Sequence, residues 1–587
     1  RSGSAATSEL DERRRGGEPQ AARRAGRGER EEKSMSDLSI IGRRLPKVNA
    51  WAHLTGSARY ADDINLPRML YGRLLRSTRP HARIARIDLS RALAHPGVVA
   101  IVTGADMPEK MGIMPSTQDE TALAVDKVRY VGEPVAAVAA LDEDTAYEAL
   151  SLIDVAYEDL EPIFTIEEAL KREDVKIHED SKRANVFKEV HLSFGDLEGG
   201  FAGADHVRDD WFFFEGNTHA PLESHSCVAS YDADGKLTLW SCTQVPHYLH
   251  REMEKVLGLP RARIRVIATP NGGAFGGKSD PFGHEFGAAL LSMRTKRPVK
   301  ITLDREEVFY AHRGRHPVKM RIKTGVKRDG EITAVEFQSY LDGGAYASYG
   351  IATTYYTGAL LTVTYRVPAY KFDGVRVYTN KPPCGPKRGH GTTQPRYGFE
   401  CQLDKIAADL GLDPIEYRLR ILQPANSRTV NELRITSMGL GECLEAVRDA
   451  TGWQRKRLER HFGKGIGVAG SAYISGAGLP IYWNEMPHSG AEIRIDRGGG
   501  VTVMCGTSEI GQGSDNMLAS VTAEALGILP EDVHVVSGDT SLAPVDLGSY
   551  SSRVTMMAGN ATKSAGLKLR AMLFAVASEK LGVPQER

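Results

Sequence analysis

Residues 272–279 read Gly-Gly-Ala-Phe-Gly-Gly-Lys-Ser, and the stretches on either side restrict what this octet can be. Residues 263–268 are strand-like and residues 284–293 are compatible with a helix, so the chain runs strand, glycine loop, helix. The octet fits a phosphate loop: glycine, four residues, then Gly-Lys-Ser. A nucleotidase built on it also needs a carboxylate on a later strand to hold magnesium. Residues 299–304 are the nearby candidate, and Lys300 interrupts their apolar run. Gly273 and Phe275 do not forbid phosphate. The same glycines also let backbone come close to another kind of ligand. By itself the octet leaves both readings open.

A chain of 587 residues is too long for one core, so about two to four domains are expected. Hydrophobic content of 41% and charged content of 26% are those of a soluble globular protein. The formal net charge of zero removes the basic excess that a general nucleic-acid binder needs. No apolar stretch approaches the roughly 20 residues that span a bilayer, and the cysteine usage is that of a reducing cytosol, so a cytoplasmic protein is expected. The six cysteines, at 227, 242, 384, 401, 443 and 505, include no Cys-x-x-Cys pair. They offer neither a zinc ribbon nor an ordinary iron–sulfur ligand set, and read as free thiols. Residues 1–34 are rich in Arg, Glu, Gly and Ala and nearly lack large apolar residues. They are expected to be a disordered or non-native extension, with a natural start at Met35.

The remainder divides into three regions. From about residue 54 to 162, buried-strand runs at 97–102 and 135–140 alternate with a helix capped by Asp142 and a strand at 153–157. Residues 171–185 are polar and read as a linker. Residues 186 to about 425 are rich in strands, at 236–240, 263–268, 318–324 and 330–341, with Lys327-Arg-Asp-Gly330 as a hairpin turn. Helical patterns sit at 252–257 and 402–410. From about residue 439 the same mixed style returns.

Three further loops carry candidate chemistry. In Cys384-Gly-Pro-Lys-Arg388-Gly-His-Gly-Thr-Thr-Gln394, a glycine-flanked arginine can present its fork of donors to an anion or metal-oxo group; a surface turn explains the same composition. Gly506-Thr-Ser-Glu-Ile-Gly511-Gln512-Gly513-Ser514 opens a helix, where successive N–H groups suit a diphosphate or simply an ordinary cap. Gly538-Asp-Thr540 and Gly548-Ser-Tyr-Ser-Ser552-Arg-Val-Thr555 cluster hydroxyls that suit phosphate oxygens or a helix start.

Taken in order, Asn217-Thr-His-Ala-Pro-Leu-Glu-Ser-His225, Ser241-Cys-Thr-Gln244, Phe275-Gly276, Gly314-Arg-His-Pro317, Arg388-Gly-His-Gly, Gly511-Gln-Gly513 and Ser551-Ser552 resemble one family. It is the large, molybdopterin-binding subunit of the xanthine dehydrogenase and aldehyde oxidase enzymes, and the resemblance runs from about Leu38 to the end. It implies an α+β chain: an α/β hammerhead-like domain at 35–170, then two large mixed molybdenum-cofactor-binding domains at 186–425 and 439–587, the last incomplete. Within the family, Tyr349-Gly-Ile, Tyr356-Thr-Gly-Ala-Leu, Tyr378-Thr-Asn-Lys-Pro-Pro-Cys-Gly385 and Gly548-Ser-Tyr-Ser-Ser-Arg-Val-Thr555 look most like the α subunit of 4-hydroxybenzoyl-CoA reductase. Ser279 stands where purine oxidisers resemble one another in having a glutamate. His390 stands in place of a substrate-stacking phenylalanine, and Gly389 where carbon monoxide dehydrogenases carry a copper-binding cysteine.

The resemblance implies a molybdenum–molybdopterin cofactor, in bacteria the cytosine dinucleotide form, with the metal held by the pterin dithiolene and not by protein ligands. Gln244, Gly273, Phe275, Gly276 and Arg388 would lie near the pterin and metal. Gly511, Gln512, Gly513, Ser551, Ser552 and Thr555 would hold the dinucleotide. Asn217, Arg388 and His390 are the implied catalytic residues. Electrons would pass through 2Fe–2S clusters on a small subunit and FAD on a medium one, in a dimer of heterotrimers. The implied reaction is removal of a ring hydroxyl from an aromatic CoA thioester; hydroxylation of an aldehyde, purine or other N-heterocycle is the alternative, and a phosphate-loop nucleotidase the remote one. The family's catalytic glutamate is expected beyond Arg587.

Overall fold

The computed structural model describes residues 38–311, 313–459, 461–476 and 488–585. The expectation of disorder for residues 1–34 therefore falls outside the described residues. Three cores build the chain.

The first surrounds a seven-stranded sheet. Its strand order is Ile264–Ala268, Leu237–Ser241, Ser226–Tyr231, Val299–Thr302, Leu70–Arg76, Pro134–Ala140 and Val98–Thr103. Pro134–Ala140 is apolar at almost every position and buried on both faces. Such a run needs cover on each side, and the helices Gly283–Thr295 and Glu143–Ser151 both pack on it. Asp142 caps the second helix by accepting the Thr145 N–H at 2.8 Å. The sheet crosses the expected division between the first and second regions: Leu70 pairs in parallel with Val299, and Gly72 with Ile301. Strand alternation within each region gives no hint of this long-range pairing.

The second core covers a five-stranded sheet, in the order His206–Phe214, Val318–Val326, Ile332–Asp342, Tyr370–Val377 and Val186–Phe194. The Lys327–Gly330 turn joins two of these strands, with Gly330 at φ +92°. The helix expected at 402–410 runs from Thr393 to Asp409. Its first half hides its helical period because Gln394, Arg396 and Glu400 are buried alongside Phe399. The expected linker at 171–185 starts on the last residue of the helix Ile166–Lys171 and carries no regular element after it, yet it is packed. Ile177 and His178 are buried, and the Asn185 side chain bonds the backbone of Arg172, Val175 and Ile177.

The third core joins the sheet Ala491–Ile495, Val501–Cys505, Val533–Ser537 to the helices Ser514–Leu526 and Val554–Leu581. The chain's opening segment belongs to this core, far from its place in sequence. The backbone N–H groups of Ser39, Ile40 and Ile41 all donate to the Glu524 carboxylate, at 3.1, 2.7 and 3.2 Å. Ile40 is buried with Val501, Leu518 and Val554. The Val48 N–H donates to Asn516 Oδ1 at 3.2 Å. Residues 39–48 thus run back along Ser514–Leu526 from its last turn to its first. No helix among the described residues is long and apolar enough to cross a membrane.

Candidate cofactor site

Four loops meet where the three cores come together, and Gln244 fastens them. This residue lies just past the strand Leu237–Ser241 and is buried. Its Oε1 accepts the N–H groups of Gly276 and Lys278, at 3.1 and 3.2 Å. Its Nε2 donates to the Ser549 carbonyl at 2.6 Å. Ser549 Oγ in turn donates to the Ser508 carbonyl at 2.6 Å and accepts the Ser508 N–H at 3.1 Å. The Arg388 N–H donates to the Phe275 carbonyl at 3.0 Å. The loops at 272–279, 384–391, 506–514 and 548–552 are therefore one bonded unit.

The backbone there is unusual. Phe275 and Gly276 have φ of +55° and +102°, and a Cβ on Gly276 would collide with the Pro386 carbonyl. Only glycine suits that position. Ser551 and Ser552 both have φ of +51°. Their loop is steadied by Ser475 Oγ, which donates to the Ser552 carbonyl at 2.9 Å. Gly273 has φ +98° beside the Phe275 ring.

The octet is not a phosphate loop. The helix that follows begins at Gly283, not at Lys278. Lys278 is buried and spent: its Nζ meets Glu223 Oε2 at 2.6 Å, and the same oxygen accepts the Gly272 N–H at 2.8 Å. A triphosphate would have to displace a buried ion pair, at a cost of several kcal/mol, about 3–5 for leaving one partner unpaired. At the end of the candidate strand, Asp304 is taken by the following helix, where it accepts the Glu307 N–H at 2.8 Å, and Lys300 donates to the Asp62 carbonyl.

The other expected site residues fall into place around this unit. Arg388 is exposed, and its guanidinium makes no hydrogen bond or ion pair among the described residues. Asn217 lies behind it, linked through Arg315. The Arg315 N–H donates to the Asn217 carbonyl at 2.9 Å, Nε to Asn217 Oδ1 at 3.3 Å and Nη2 to the Arg388 carbonyl at 2.6 Å. Burial without a carboxylate partner pulls Arg315 down to about 10. His390 Nε2 lies 2.9 Å from Thr353 Oγ1, whose hydroxyl also reaches the Tyr349 carbonyl at 3.2 Å. Tyr349 and Tyr356 present their rings edge-on to the imidazole. Burial, reinforced by the Arg315 charge, lowers His390 to about 3, so it is a neutral imidazole at ordinary pH. Thr555 is exposed in the first turn of Val554–Leu581.

Two expectations change. The Gly511 and Gly513 amides do hold an anion, but it is the chain's own Glu509 carboxylate, at 2.8 and 3.1 Å. Gln512 closes the loop by donating to the Ser508 carbonyl at 3.1 Å. The Ser279 hydroxyl is buried and donates to the Gly276 carbonyl at 2.7 Å, so it faces its own loop. Arg315, Thr353 and Ser549 were missed as site residues. Arg315 and Ser549 stood inside quoted motifs, but only the fold shows what they join.

Among the described residues no group of His, Cys, Asp and Glu could ligate a metal ion. What the site offers is a donor set for a group bringing its own ligands: the free Arg388 guanidinium, and the buried Thr507 and Ser508 hydroxyls, which have no partner. The glycine at 276 lets the 384–391 loop that carries Arg388 close against the 272–279 loop. These residues fit an anionic, acceptor-rich molecule such as a phosphorylated pterin.

The fold and site define a molybdopterin-binding oxidoreductase subunit. Residues 177–422 and 446–587 match molybdopterin cofactor-binding domain models, and residues 55–161 match the aldehyde oxidase and xanthine dehydrogenase a/b hammerhead domain. The chain is 34% identical over 552 residues to the xanthine dehydrogenase molybdenum-binding subunit of Escherichia coli O157:H7, covering 91% of this chain and 72% of that one. It is 38% identical over 414 residues to the nicotinate dehydrogenase large molybdopterin subunit of Eubacterium barkeri, covering 70% of this chain and 96% of that one. The structure of quinoline 2-oxidoreductase from Pseudomonas putida 86 superposes with a TM-score of 0.85 at 28% identity, over 94% of this chain and 73% of that chain. The chain belongs to the molybdopterin-binding large subunits of the xanthine dehydrogenase and aldehyde oxidase family.

Proposed function

We propose that the protein oxidises an N-heteroaromatic ring, adding a water-derived oxygen to a ring carbon and passing electrons to partner subunits. The observation that carries this is the wall beside Arg388: a neutral His390 flanked edge-on by Tyr349 and Tyr356, with the Phe275 ring half-exposed nearby. Such a wall packs against the face or edge of a planar ring. The xanthine, nicotinate and quinoline enzymes among its relatives support the same reading. Aldehydes are the next substrates to test. Dehydroxylation of 4-hydroxybenzoyl-CoA rests on the Tyr349, Tyr356, Tyr378 and Gly548 motifs, and these relatives support it less than oxidation.

The pterin–molybdenum group, when bound, supplies a centre that accepts and returns electron pairs. Gln244, Gly273, Phe275 and Gly276 would shape its metal end, and Arg388 would donate to its anionic atoms. Ser551, Ser552 and Thr555 would hold its far end, the cytosine dinucleotide in this reading. Arg315 keeps Arg388 and Asn217 in place from behind. His390 acts as a neutral hydrogen-bonding wall, since at neutral pH it is an imidazole with one ring N–H and not an imidazolium acid. An iron–sulfur small subunit and an FAD-binding medium subunit would complete the electron path, in a cytoplasmic dimer of heterotrimers.

The test is turnover of the purified complex with nicotinate, quinoline, xanthine, benzaldehyde and 4-hydroxybenzoyl-CoA. An N-heteroaromatic product labelled from oxygen-18 water is expected. Activity confined to 4-hydroxybenzoyl-CoA with a low-potential donor would replace this reading by the reductive one.

A further inference from the structure

Three successive residues beside the candidate site, Tyr346, Ala347 and Ser348, are each tied to a carboxyl group. The Tyr346 hydroxyl donates to Glu133 Oε1. The Ala347 N–H donates to Asp119 Oδ2 at 3.0 Å, and the same oxygen accepts the Tyr378 hydroxyl at 2.9 Å. The Ser348 hydroxyl donates to Asp280 Oδ2 at 2.9 Å. That oxygen lies 3.6 Å from Arg313 Nε, and Arg313 Nη2 donates to Glu120. Asp119, Glu120 and Glu133 all belong to the hammerhead match at 55–161. Asp280 directly follows the 272–279 loop. Tyr346, Ala347, Ser348, Asp280, Glu133 and Arg313 are buried.

The turn that these groups hold is strained. Ser348 has φ +44°, in the left-handed region that a residue with a Cβ rarely enters. Such a conformation persists where its surroundings over-determine it, and it clusters at functional sites. The next residue is Tyr349, whose ring meets His390 edge-on with centroids 6.2 Å apart. The Tyr349 carbonyl accepts the Thr353 hydroxyl that also meets His390, and the Tyr349 hydroxyl donates to the Ser279 carbonyl at 3.3 Å. The 384–391 loop leans on the same place: a Cβ on Gly385 would sit 2.6 Å from Arg313 Cβ and 3.0 Å from Ser348 Oγ. Apolar side chains of similar volume would join the domains at least as well as buried ionisable groups, which are costly to desolvate. What the carboxyl groups add is direction, since each accepts from one particular atom of the turn.

We propose that these carboxyl groups clamp the turn at 346–348, and that Ser348 and Asp280 are positioning residues that set the Tyr349 ring against His390 and so govern how tightly a planar ring substrate binds. This rests on the reading of Tyr349 and His390 as the substrate wall. Asp280 touches neither substrate nor cofactor; it grips Ser348, and the backbone of Ser348 aims Tyr349.

The test uses the full complex, purified as the wild type and as Ser348→Ala, Ser348→Gly, Asp280→Ala and the double variant Asp280→Ala with Ser348→Ala. KM and kcat are measured with the N-heteroaromatic substrate that the wild type oxidises. Ser348→Ala keeps a Cβ in the left-handed position but loses the hydroxyl that holds it there. Its KM should rise about tenfold with kcat changed by less than about threefold. Ser348→Gly loses the same hydroxyl, but glycine adopts a positive φ without a clamp, so its KM should return to within about twofold of wild type. A serine that only filled space would give the opposite order, with glycine worse than alanine. Asp280→Ala should raise KM as Ser348→Ala does, and the double variant should be no worse than either, because both cut one link. Amide hydrogen exchange of a peptide spanning 343–356 should be about tenfold faster in Ser348→Ala than in wild type, and molybdenum content should be equal in the two. Ser348→Gly as damaging as Ser348→Ala, two single changes that add, unchanged exchange at 343–356, or loss of molybdenum from Ser348→Ala would each overturn the proposal. A wild type that oxidises no N-heteroaromatic ring would instead refute the functional reading, while the exchange measurement would still decide the clamp.

Discussion

Replacing Gln244 by alanine should loosen the cofactor site more than any other single polar deletion. The side chain answers two N–H groups, of Gly276 and Lys278, and one carbonyl, of Ser549. All three would be left in a buried place. Each buried group left unpaired costs about 1–3 kcal/mol. A water entering the vacated volume can answer one or two of them, which leaves a net cost of about 2–4 kcal/mol. A melting temperature is a poor readout, because a multidomain chain need not unfold in one step. Amide hydrogen exchange of a peptide spanning 272–282 reads the local opening directly. A cost of about 2 kcal/mol corresponds to roughly 30-fold faster exchange. Peptides from the five-stranded sheet should not change. If the 272–282 peptide keeps wild-type protection in Gln244→Ala, the loops are not held by this residue and the account of the site fails.

Gly276→Val should purify with little molybdenum, since its Cβ would collide with the Pro386 carbonyl at a φ of +102°; normal molybdenum content would refute the close approach. Arg388→Ala should lower turnover by more than about tenfold and leave amide hydrogen exchange of the 272–282 peptide unchanged, because the guanidinium holds nothing in the fold; full activity would reduce Arg388 to a surface residue. His284 is buried, and burial with the nearby Arg76 and Lys278 charges lowers it to about 3. It stays neutral when folded but takes a proton below about 6.5 when unfolded, so the stability from its neutral form is complete above that pH and is lost as pH falls towards 3. Wild type should therefore lose stability relative to His284→Phe between pH 7 and 5, by up to about 1.4 kcal/mol per pH unit below the unfolded value; a pH-independent difference would refute the assignment.

Local patterns carried much of the fold. The runs at 97–102 and 135–140, the Asp142 cap and the Lys327–Gly330 turn each lie within one residue of the observed elements, because hydrophobic period and turn chemistry are local. The pairing of Leu70 with Val299 was not legible, since nothing near either residue names a partner more than two hundred positions away. Nor was the course of residues 39–48, whose Gly-Arg-Arg-Leu-Pro-Lys run at 42–47 looks like a loop until Glu524 and Asn516 are seen beneath it. In the site, glycine spacing pointed to the right loops, and the order of seven motifs pointed to the family. Glycine spacing could not say that Lys278 is taken by Glu223, or that the Gly511 and Gly513 amides are taken by Glu509. Those assignments depend on which side chain arrives first in a crowded interior, and only the packed structure decides that.

The most direct measurement is metal and nucleotide analysis of the purified complex. The account predicts about one molybdenum per chain, bound with a pterin and released with it on denaturation. Stoichiometric ATP and magnesium without molybdenum would contradict it.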